Sequence, residues 1–456
     1  MVLSAFAARG VRVQMNSQHG GTEEASGEPT TKDGLTATDI QTAEQIMDPF
    51  SATQEVLRVA QQRLNLSDAS LALLKEPLRT LTVRFPVRMD DGSVRVFTGW
   101  RVQHNDAAGP TKGGIRLHPE VDERELQALA IWMTVQCGIA NLPFGGGKGG
   151  IECDPREMSF HEIERVSRAY VRAISQIVGP TKDIPAPDMF SNSQTMAWML
   201  DEYAHLREFD SPGFITGKPR ILGGTRGRDV ASGLGVLICT DQAVTAHGLE
   251  WKDVRVAVQG FGNTGSYVAK ALHDRGARVV AISDAYGALY DEKGLDIDDL
   301  LERRDSFGSV TKLFRNTISN RDLLTCACDV LVTAAAENQV TEENAGQVQA
   351  SIVVEATNSP VTVQATKVLY EQGTLVVPDV LANAGEVIVS YFEWAQNTEG
   401  LYWSEAEVHN RLHTIMEQSF QSVYQASQHH HVDMRIAAYM VGLERTATAA
   451  RLRGWV

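Results

Sequence analysis

From about residue 51 the apolar positions fall into two periods in turn. Val56, Leu57, Ala60 and Leu64 recur at helical spacing, and then Leu81, Val83, Phe85, Val87 and Met89 alternate with Thr82, Arg84 and Arg88. Such alternation sends every second side chain to one face, so it predicts a half-buried strand. Asp90-Asp91-Gly92-Ser93 reads as a turn, and Val94, Val96, Trp100 and Val102 resume the period of two. Together they predict a β-hairpin with one buried face. Helical spacing returns from about Asp122, with Leu126, Leu129, Met133 and Ala140 on one face and Gln136 among them. Ser159-Phe160-His161-Glu162 then reads as a capping box for a helix carrying Ile163, Val166, Tyr170, Ile174 and Ile177. A further helix is expected from Gln194 to about Tyr203.

Beyond a stretch rich in glycine, proline and basic residues (217–227) the rhythm changes. A helix expected from Ala231 to His247 precedes short apolar strands at Val254–Val258, Arg278–Ile282, Val330–Thr333, Ile352–Val354 and Leu375–Val377, with helical segments between them. That pattern predicts an α/β unit built on a doubly wound parallel sheet. The tail is helical, with a capping box at Ser404 to Glu407 and a second helix start at Asp433. Residues 1–45 are rich in Gly, Ser, Thr and Glu without a sustained period, and are expected to be a disordered extension.

Bulk composition narrows the field. A chain of 456 residues with 43% hydrophobic content can bury two separate cores. Its 42 basic against 57 acidic side chains, a net charge of −15, argue against a nucleic-acid or anionic-membrane partner. No apolar run is long enough to span a bilayer. Five cysteines, scattered and odd in number, point to reduced thiols in a cytoplasmic setting rather than a disulfide framework. Neither they nor His429-His430-His431 have ligand spacing, so no metal is expected.

Candidate chemistry sits in the glycine-rich stretches. Gly109 to Arg116 holds Lys112, and Asn141 to Ile151 holds Lys148 among five glycines. Both are read as glycine bends in which a covered lysine loses solvation, which lowers its pKa and makes it usable in acid–base work. Asp188 ends a proline-stiffened loop, Asp183-Ile184-Pro185-Ala186-Pro187. Two cradled lysines and a fixed carboxylate suggest a cationic pocket for a small acidic substrate. Gly260-Phe261-Gly262-Asn263-Thr264-Gly265 follows a predicted strand and opens a predicted helix, with Asp284 at the end of the next strand. In that context Gly260 makes the tight turn, Gly262 admits a pyrophosphate, Gly265 lets helix and sheet pack, and the helix N-terminus supplies N–H donors. Asp284 could accept from both ribose hydroxyls and repel a 2′-phosphate. NAD is therefore expected, with NADP left open because basic residues outside the motif can offset one acid.

These stretches resemble the Glu/Leu/Phe/Val dehydrogenase family, in its glutamate dehydrogenase branch. The resemblance runs from about residue 50 to the C-terminus. It is carried by Gly109–Pro119, Leu142–Gly150, Ile184–Asp188, Thr216–Pro219, Gly260–Gly265, Asn383–Gly385 and Ser390–Trp394. It implies NAD-linked oxidative deamination of glutamate to 2-oxoglutarate and ammonia, run by a homo-hexamer. It also implies a substrate and oligomerisation domain over 46–226, a Rossmann-type dinucleotide domain over 227–390, and C-terminal helices over 391–456 that return to the first. By resemblance, Lys148 activates the attacking water and Asp188 exchanges protons with the amino group. Lys112 and Ser390 hold the side-chain carboxylate, with Gly113, Gly114, Arg228 and Val387 around them, and Asn358 lies near the nicotinamide ribose. Ser232 stands where the family has threonine on the cofactor side. Two departures touch the pocket: Gln136 replaces a lysine that grips the α-carboxylate, and Glu386 replaces a glycine. They keep open an alternative, a weak or silent regulatory subunit of a hetero-hexamer with a catalytic paralogue.

Overall fold

The computed structural model describes residues 48–306 and 308–456, so the expected disordered lead-in lies outside the described residues. Asp48 caps the first helix, α1 (Pro49–Leu64), by accepting from the N–H groups of Phe50 and Ser51. Helix α2 (Asp68–Lys75) leads into the hairpin of β1 (Arg79–Arg88) and β2 (Val94–Gln103), antiparallel with Phe85 opposite Phe97. The fully buried phase of β2 begins with Phe97, Gly99 and Arg101, not with the predicted Val94 and Val96, which are 60% and 51% exposed. Val102 is buried all the same, packed on the opposite face against Leu126, Leu129 and Ala130 of α3 (Glu123–Ile139). A strand covered on both faces for half its length loses the period-two signal.

Three stretches expected as bends or loops are strands: β3 (Thr111–His118), β4 (Gly145–Glu152) and β5 (Asp183–Pro187). They complete a five-stranded sheet in the order β1-β2-β4-β3-β5, with β3 parallel to both neighbours. Glycine and proline are depleted in strands, which is why propensity pointed elsewhere. Space, not backbone freedom, requires the glycines. A Cβ on Gly145 would stand 1.6 Å from the Asn105 carbonyl oxygen, and one on Gly146 would stand 2.1 Å from that of Ala130 on α3. None of Gly145 to Gly150 adopts a positive φ, so the left-handed conformation expected of a glycine bend is not used. On the sheet's other face lie α4 (Phe160–Ile174), opened by the capping box of Ser159 and Glu162, and α5 (Ser193–Arg207).

The second sheet begins after α6 (Ala231–Ala246). In chain order it comprises β6 (Arg255–Gln259), α7 (Asn263–Asp274), β7 (Arg278–Asp284), β8 (Gly287–Tyr290), α8 (Ile297–Arg303), α9 (Asn320–Leu324), β9 (Val330–Thr333), α10 (Glu342–Ala345), β10 (Ile352–Glu355), α11 (Val363–Glu371) and β11 (Leu375–Val377). The strand order is β11-β10-β9-β6-β7-β8, so the chain reverses direction across the sheet between β6 and β9. Crevices at such switch points are where doubly wound sheets bind ligands. The sheet is not wholly parallel as expected, because β8, absent from the predicted strands, returns antiparallel on β7. Four residues after a tight turn are too few to show a period.

Four helices close the chain: α12 (Asp379–Ala382), α13 (Gly385–Glu399), α14 (Glu405–His430) and α15 (Met434–Leu452). The last one binds both halves. Gly442 of α15 lies so close to α3 that a Cβ on Gly138 would stand 2.4 Å from its carbonyl oxygen. At its other end, buried Arg435 pairs with Glu355 at the end of β10 and donates to Asp379 at 3.3 Å. Burial pushes the Glu355 carboxyl up to about 8, against the pull of Arg435. Among the described residues no helix is long and apolar enough to cross a membrane.

Gly145→Ala is expected to cost about 3 kcal/mol or more, at the upper end of overpacking penalties, because the collision is with backbone. Gly262→Ala, where a Cβ meets nothing within 4 Å, is expected to leave the thermal midpoint in place. Thermal unfolding of the two variants side by side checks both.

Candidate active site

Strand alternation and register place the charged groups. Lys112 of β3 pairs with Gly146 of β4 and Ile184 of β5, so Lys112, Arg116 and Lys148 lie in one phase of the sheet. Asp188 follows β5 by one residue and joins them. Its Oδ2 accepts from the Lys148 Nζ, and its Oδ1 accepts from the Arg116 Nε at 3.0 Å and the Met189 N–H at 2.7 Å. Burial alone would raise the Asp188 carboxyl, but Lys148 and Arg116 outweigh it and hold it well below the usual carboxylate range. Arg116 is itself fixed by Glu125 of α3, and the Asp188 carboxylate is clamped between Arg116 and Lys148.

A second cluster sits at the inner end of the same cavity. Buried Lys112 donates to Thr216 Oγ1 at 2.7 Å, and Thr216 Oγ1 lies 3.3 Å from Ser390 Oγ. Arg228 donates to Ser390 Oγ at 2.5 Å and to Glu386 Oε1 at 2.6 Å. Burial, with the nearby charge of Arg228 second, brings the Lys112 ammonium down to about 7. Thr216 is fixed by its neighbours: the N–H groups of Gly217 and Lys218 and the Lys218 Nζ all donate to Glu393 Oε1, at 3.0, 3.3 and 2.7 Å. Glu393 stands one turn after Ser390 on α13, so one helix anchors both the loop and the pocket wall.

Gln136 of α3 faces this cavity, but its amide is committed across it. Gln136 Nε2 donates to Asn383 Oδ1 at 2.7 Å, and Asn383 Nδ2 donates to Asn358 Oδ1 at 3.2 Å. The cavity, of about 270 Å³, is lined by Lys112, Gly113, Gly114, Gln136, Lys148, Asp188, Arg228, Ser232, Asn358, Val387 and Ser390 among others. The structure thus brings together every expected catalytic and substrate-side residue. Hollows of about 440 and 920 Å³ elsewhere contain neither lysine.

The dinucleotide turn borders the same cavity, which Thr264 lines. Gly260 has φ 92°, as the tight turn requires, and a Cβ on Gly265 would stand 1.9 Å from the Gly260 carbonyl oxygen. Helix α7 begins at Asn263 with no side chain capping its N–H groups, and the space over Gly262 is open. An open cradle over an uncapped helix N-terminus fits a pyrophosphate. Asp284 is placed differently from expectation. It ends β7, but its oxygens already accept from the N–H groups of Tyr286, Val310 and Thr311, each at 2.8 Å, and from Thr311 Oγ1 at 2.5 Å. Those donors occupy the acceptor positions that ribose hydroxyls would use, so Asp284 here holds the 310–311 turn.

Sequence reasoning gave no role to Arg116, Thr216, Asn383 or Glu393. Arg116 could have been found, since it shares the strand phase of Lys112 once β3 is read as a strand. Thr216 and Glu393 belong to the Thr216–Pro219 and Ser390–Trp394 stretches, but far-apart segments meeting in a core leave no local signal.

Comparison with known proteins agrees with this architecture. The family model described as Glu/Leu/Phe/Val dehydrogenase, dimerisation domain, matches residues 77–205, and that of Glutamate/Leucine/Phenylalanine/Valine dehydrogenase matches 223–454. The chain is 61% identical over 407 residues to the catabolic NAD-specific glutamate dehydrogenase RocG of Bacillus subtilis, covering 89% of this chain and 96% of that one. Among solved structures, the glutamate dehydrogenase of Peptoniphilus asaccharolyticus superposes with a TM-score of 0.81 at 40% identity, covering 90% of this chain and 100% of that one. The Leu-bound hetero-hexameric glutamate dehydrogenase of Thermus thermophilus gives 0.84 at 38% identity, covering 89% and 97%. Two matched domains, high identity over most of the length and a shared fold lead to one conclusion: the chain belongs to the Glu/Leu/Phe/Val dehydrogenase family.

Proposed function

We propose that the protein is an NAD-linked glutamate dehydrogenase, converting L-glutamate to 2-oxoglutarate and ammonia. The observation that carries this is the contact of Lys148 with Asp188 in a cavity that Lys112 and Ser390 also line, with Thr216 bridging those two. A buried ammonium with hydroxyl partners suits the side-chain carboxylate of a dicarboxylic amino acid and disfavours an apolar side chain. Gln136, with one amide N–H given to Asn383, offers the α-carboxylate its second, neutral donor. Asp188, kept ionised by Lys148 and Arg116, takes a proton from the substrate amino group. Lys148 positions and activates the water that attacks the iminium carbon. Bound NAD would supply the hydride acceptor, and the Gly260–Gly265 turn with Ser232, Asn263 and Asn358 would hold it, Asn358 near the nicotinamide ribose. The negative charge of Asp284 at the end of β7 favours NAD over NADP. The working form is a homo-hexamer in the cytoplasm. A silent regulatory subunit is the weaker reading, because Lys148 and Asp188 are both present and in contact.

NADH formation by the purified homo-oligomer with L-glutamate is the test, and no turnover at saturating substrate removes this reading. Asp188→Asn is expected to lower kcat by about 10²- to 10⁴-fold while 2-oxoglutarate still binds in a calorimetric titration.

Gln136→Lys, which restores a charged partner, is expected to lower the KM for glutamate by roughly thirtyfold, equivalent to about 2 kcal/mol. An unchanged or raised KM means that another group holds the α-carboxylate.

Lys112 is a cation only below about 7 before substrate arrives, so substrate binding takes up a proton above that pH. The Kd of 2-oxoglutarate is expected to be lowest at pH 6 to 7 and to rise toward about tenfold per pH unit above it. Titrations from pH 6 to 9 check this, and a flat profile would place the carboxylate elsewhere.

A further inference from the structure

Arg228 lines the pocket beside Lys112 and Ser390, between two acceptors on one helix. Glu386 and Ser390 are four residues apart on α13, hence on the same face, and the guanidinium of Arg228 reaches both. The placement is tight at its base. A Cβ on Gly385 would stand 2.2 Å from the Ala231 carbonyl oxygen, so the start of α13 is pressed onto the start of α6, just beyond Arg228. The two partners of this ion pair are unequally solvated. The Arg228 side chain is 17% exposed and that of Glu386 is 49% exposed. Glu386 can exchange Arg228 for water at little cost, whereas Arg228 needs an anionic or hydroxyl partner within the cleft.

The charge of the pocket makes this consequential. Its lining carries Lys112, Lys148 and Arg228 against Asp188 and Glu386. Asp188 is bound to Lys148 and Arg116 and is not free to move. Glu386 is therefore the anion of this lining that can leave its partner.

Resting on the glutamate reading above, we propose that Glu386 is a built-in competitor for the substrate's side-chain carboxylate. In the substrate-free cleft it neutralises Arg228, and a dicarboxylate entering beside Ser390 must share or displace it. Glu386 thereby sets the working affinity for substrate without touching the reacting carbon. It acts through Arg228, so its signature is a change in KM apart from kcat, and that change must vanish when Arg228 is gone.

The experiment uses the full-length oligomer. Glu386→Gln keeps size and hydrogen-bonding capacity but removes the charge. It is expected to lower the KM for glutamate by about two- to fivefold, the range of a partly exposed ion pair, with kcat within about twofold. The KM for NAD is expected to stay put. In an Arg228→Gln background the same substitution is expected to have no effect on the glutamate KM, a coupling that a merely structural role would not produce. Should Glu386→Gln not fold, Glu386→Ala removes the same charge and gives the same readings. An equal or raised KM in the charge-free variant, or an undiminished gain without Arg228, overturns the proposal. Calorimetric titration with 2-oxoglutarate separates it from the reading it rests on. If neither wild type nor variant turns over glutamate, the dehydrogenase reading falls, and tighter 2-oxoglutarate binding by Glu386→Gln still upholds the competitor. Equal or weaker binding ends it.

Discussion

A fully buried ion pair runs beneath the first sheet, and the sheet is built to let it pass. Arg101 of β2 donates through Nε and Nη2 to both oxygens of Asp183 on β5, at 2.7 and 2.5 Å, although β4 and β3 lie between those strands. Gln103 donates to the same carboxylate at 2.9 Å, and the remaining Arg101 Nη1 reaches the Gly113 and Gly114 carbonyl oxygens. The guanidinium crosses where β4 has no side chains. A Cβ on Gly149 would stand 3.2 Å from Arg101 Nη1, and one on Gly147 the same distance from Asp183 Oδ1. A buried charge left without its partner costs several kcal/mol, so the glycines and the ion pair require one another.

That constraint explains why Lys148 stands alone in its strand. Gly147 and Gly149 make room for the ion pair on one face, and Gly146 and Gly150 make room for α3 on the other, where a Cβ on Gly150 would stand 3.0 Å from Leu126. With its neighbours reduced to backbone, Lys148 is the one side chain between Gly145 and Gly150, and it meets Asp188 at the end of β5. The two lysines of the cavity then differ by environment. Lys148 faces a carboxylate, whereas Lys112 faces hydroxyls and a second cation and is lowered by burial. The first arrangement suits proton transfer, and the second leaves a place for an anion.

Much of this was legible in the chain, and the failures have physical causes. The parallel strands of the second sheet fall where their apolar runs predict, because strands covered by helices on both faces read as continuous hydrophobic stretches. The glycine stretches were located but misjudged in conformation, since local preference for turns carries no information about what packs above and below them. Val94 and Val96 are exposed because α3 covers their side of β2 only at Trp100 and Val102. Lys112, Lys148, Asp188 and Ser390 could be picked out as candidates from residue type and setting. Thr216, Glu393 and Asn383 could not, because their importance comes from contacts between segments more than a hundred residues apart.

The final helix has a bearing on biosynthesis. Arg435 is the cation that meets Glu355 and Asp379, and Gly442 is the residue against which Gly138 of α3 is packed. A nascent chain from which that helix has not yet emerged lacks both. Its nucleotide-binding half then carries two buried carboxylates without their counter-charge, and its other half exposes the flank of α3. Neither half can finish packing before that helix is made, so a chain stopped shortly before residue 435 leaves two buried carboxylates unpaired and the flank of α3 uncovered at once.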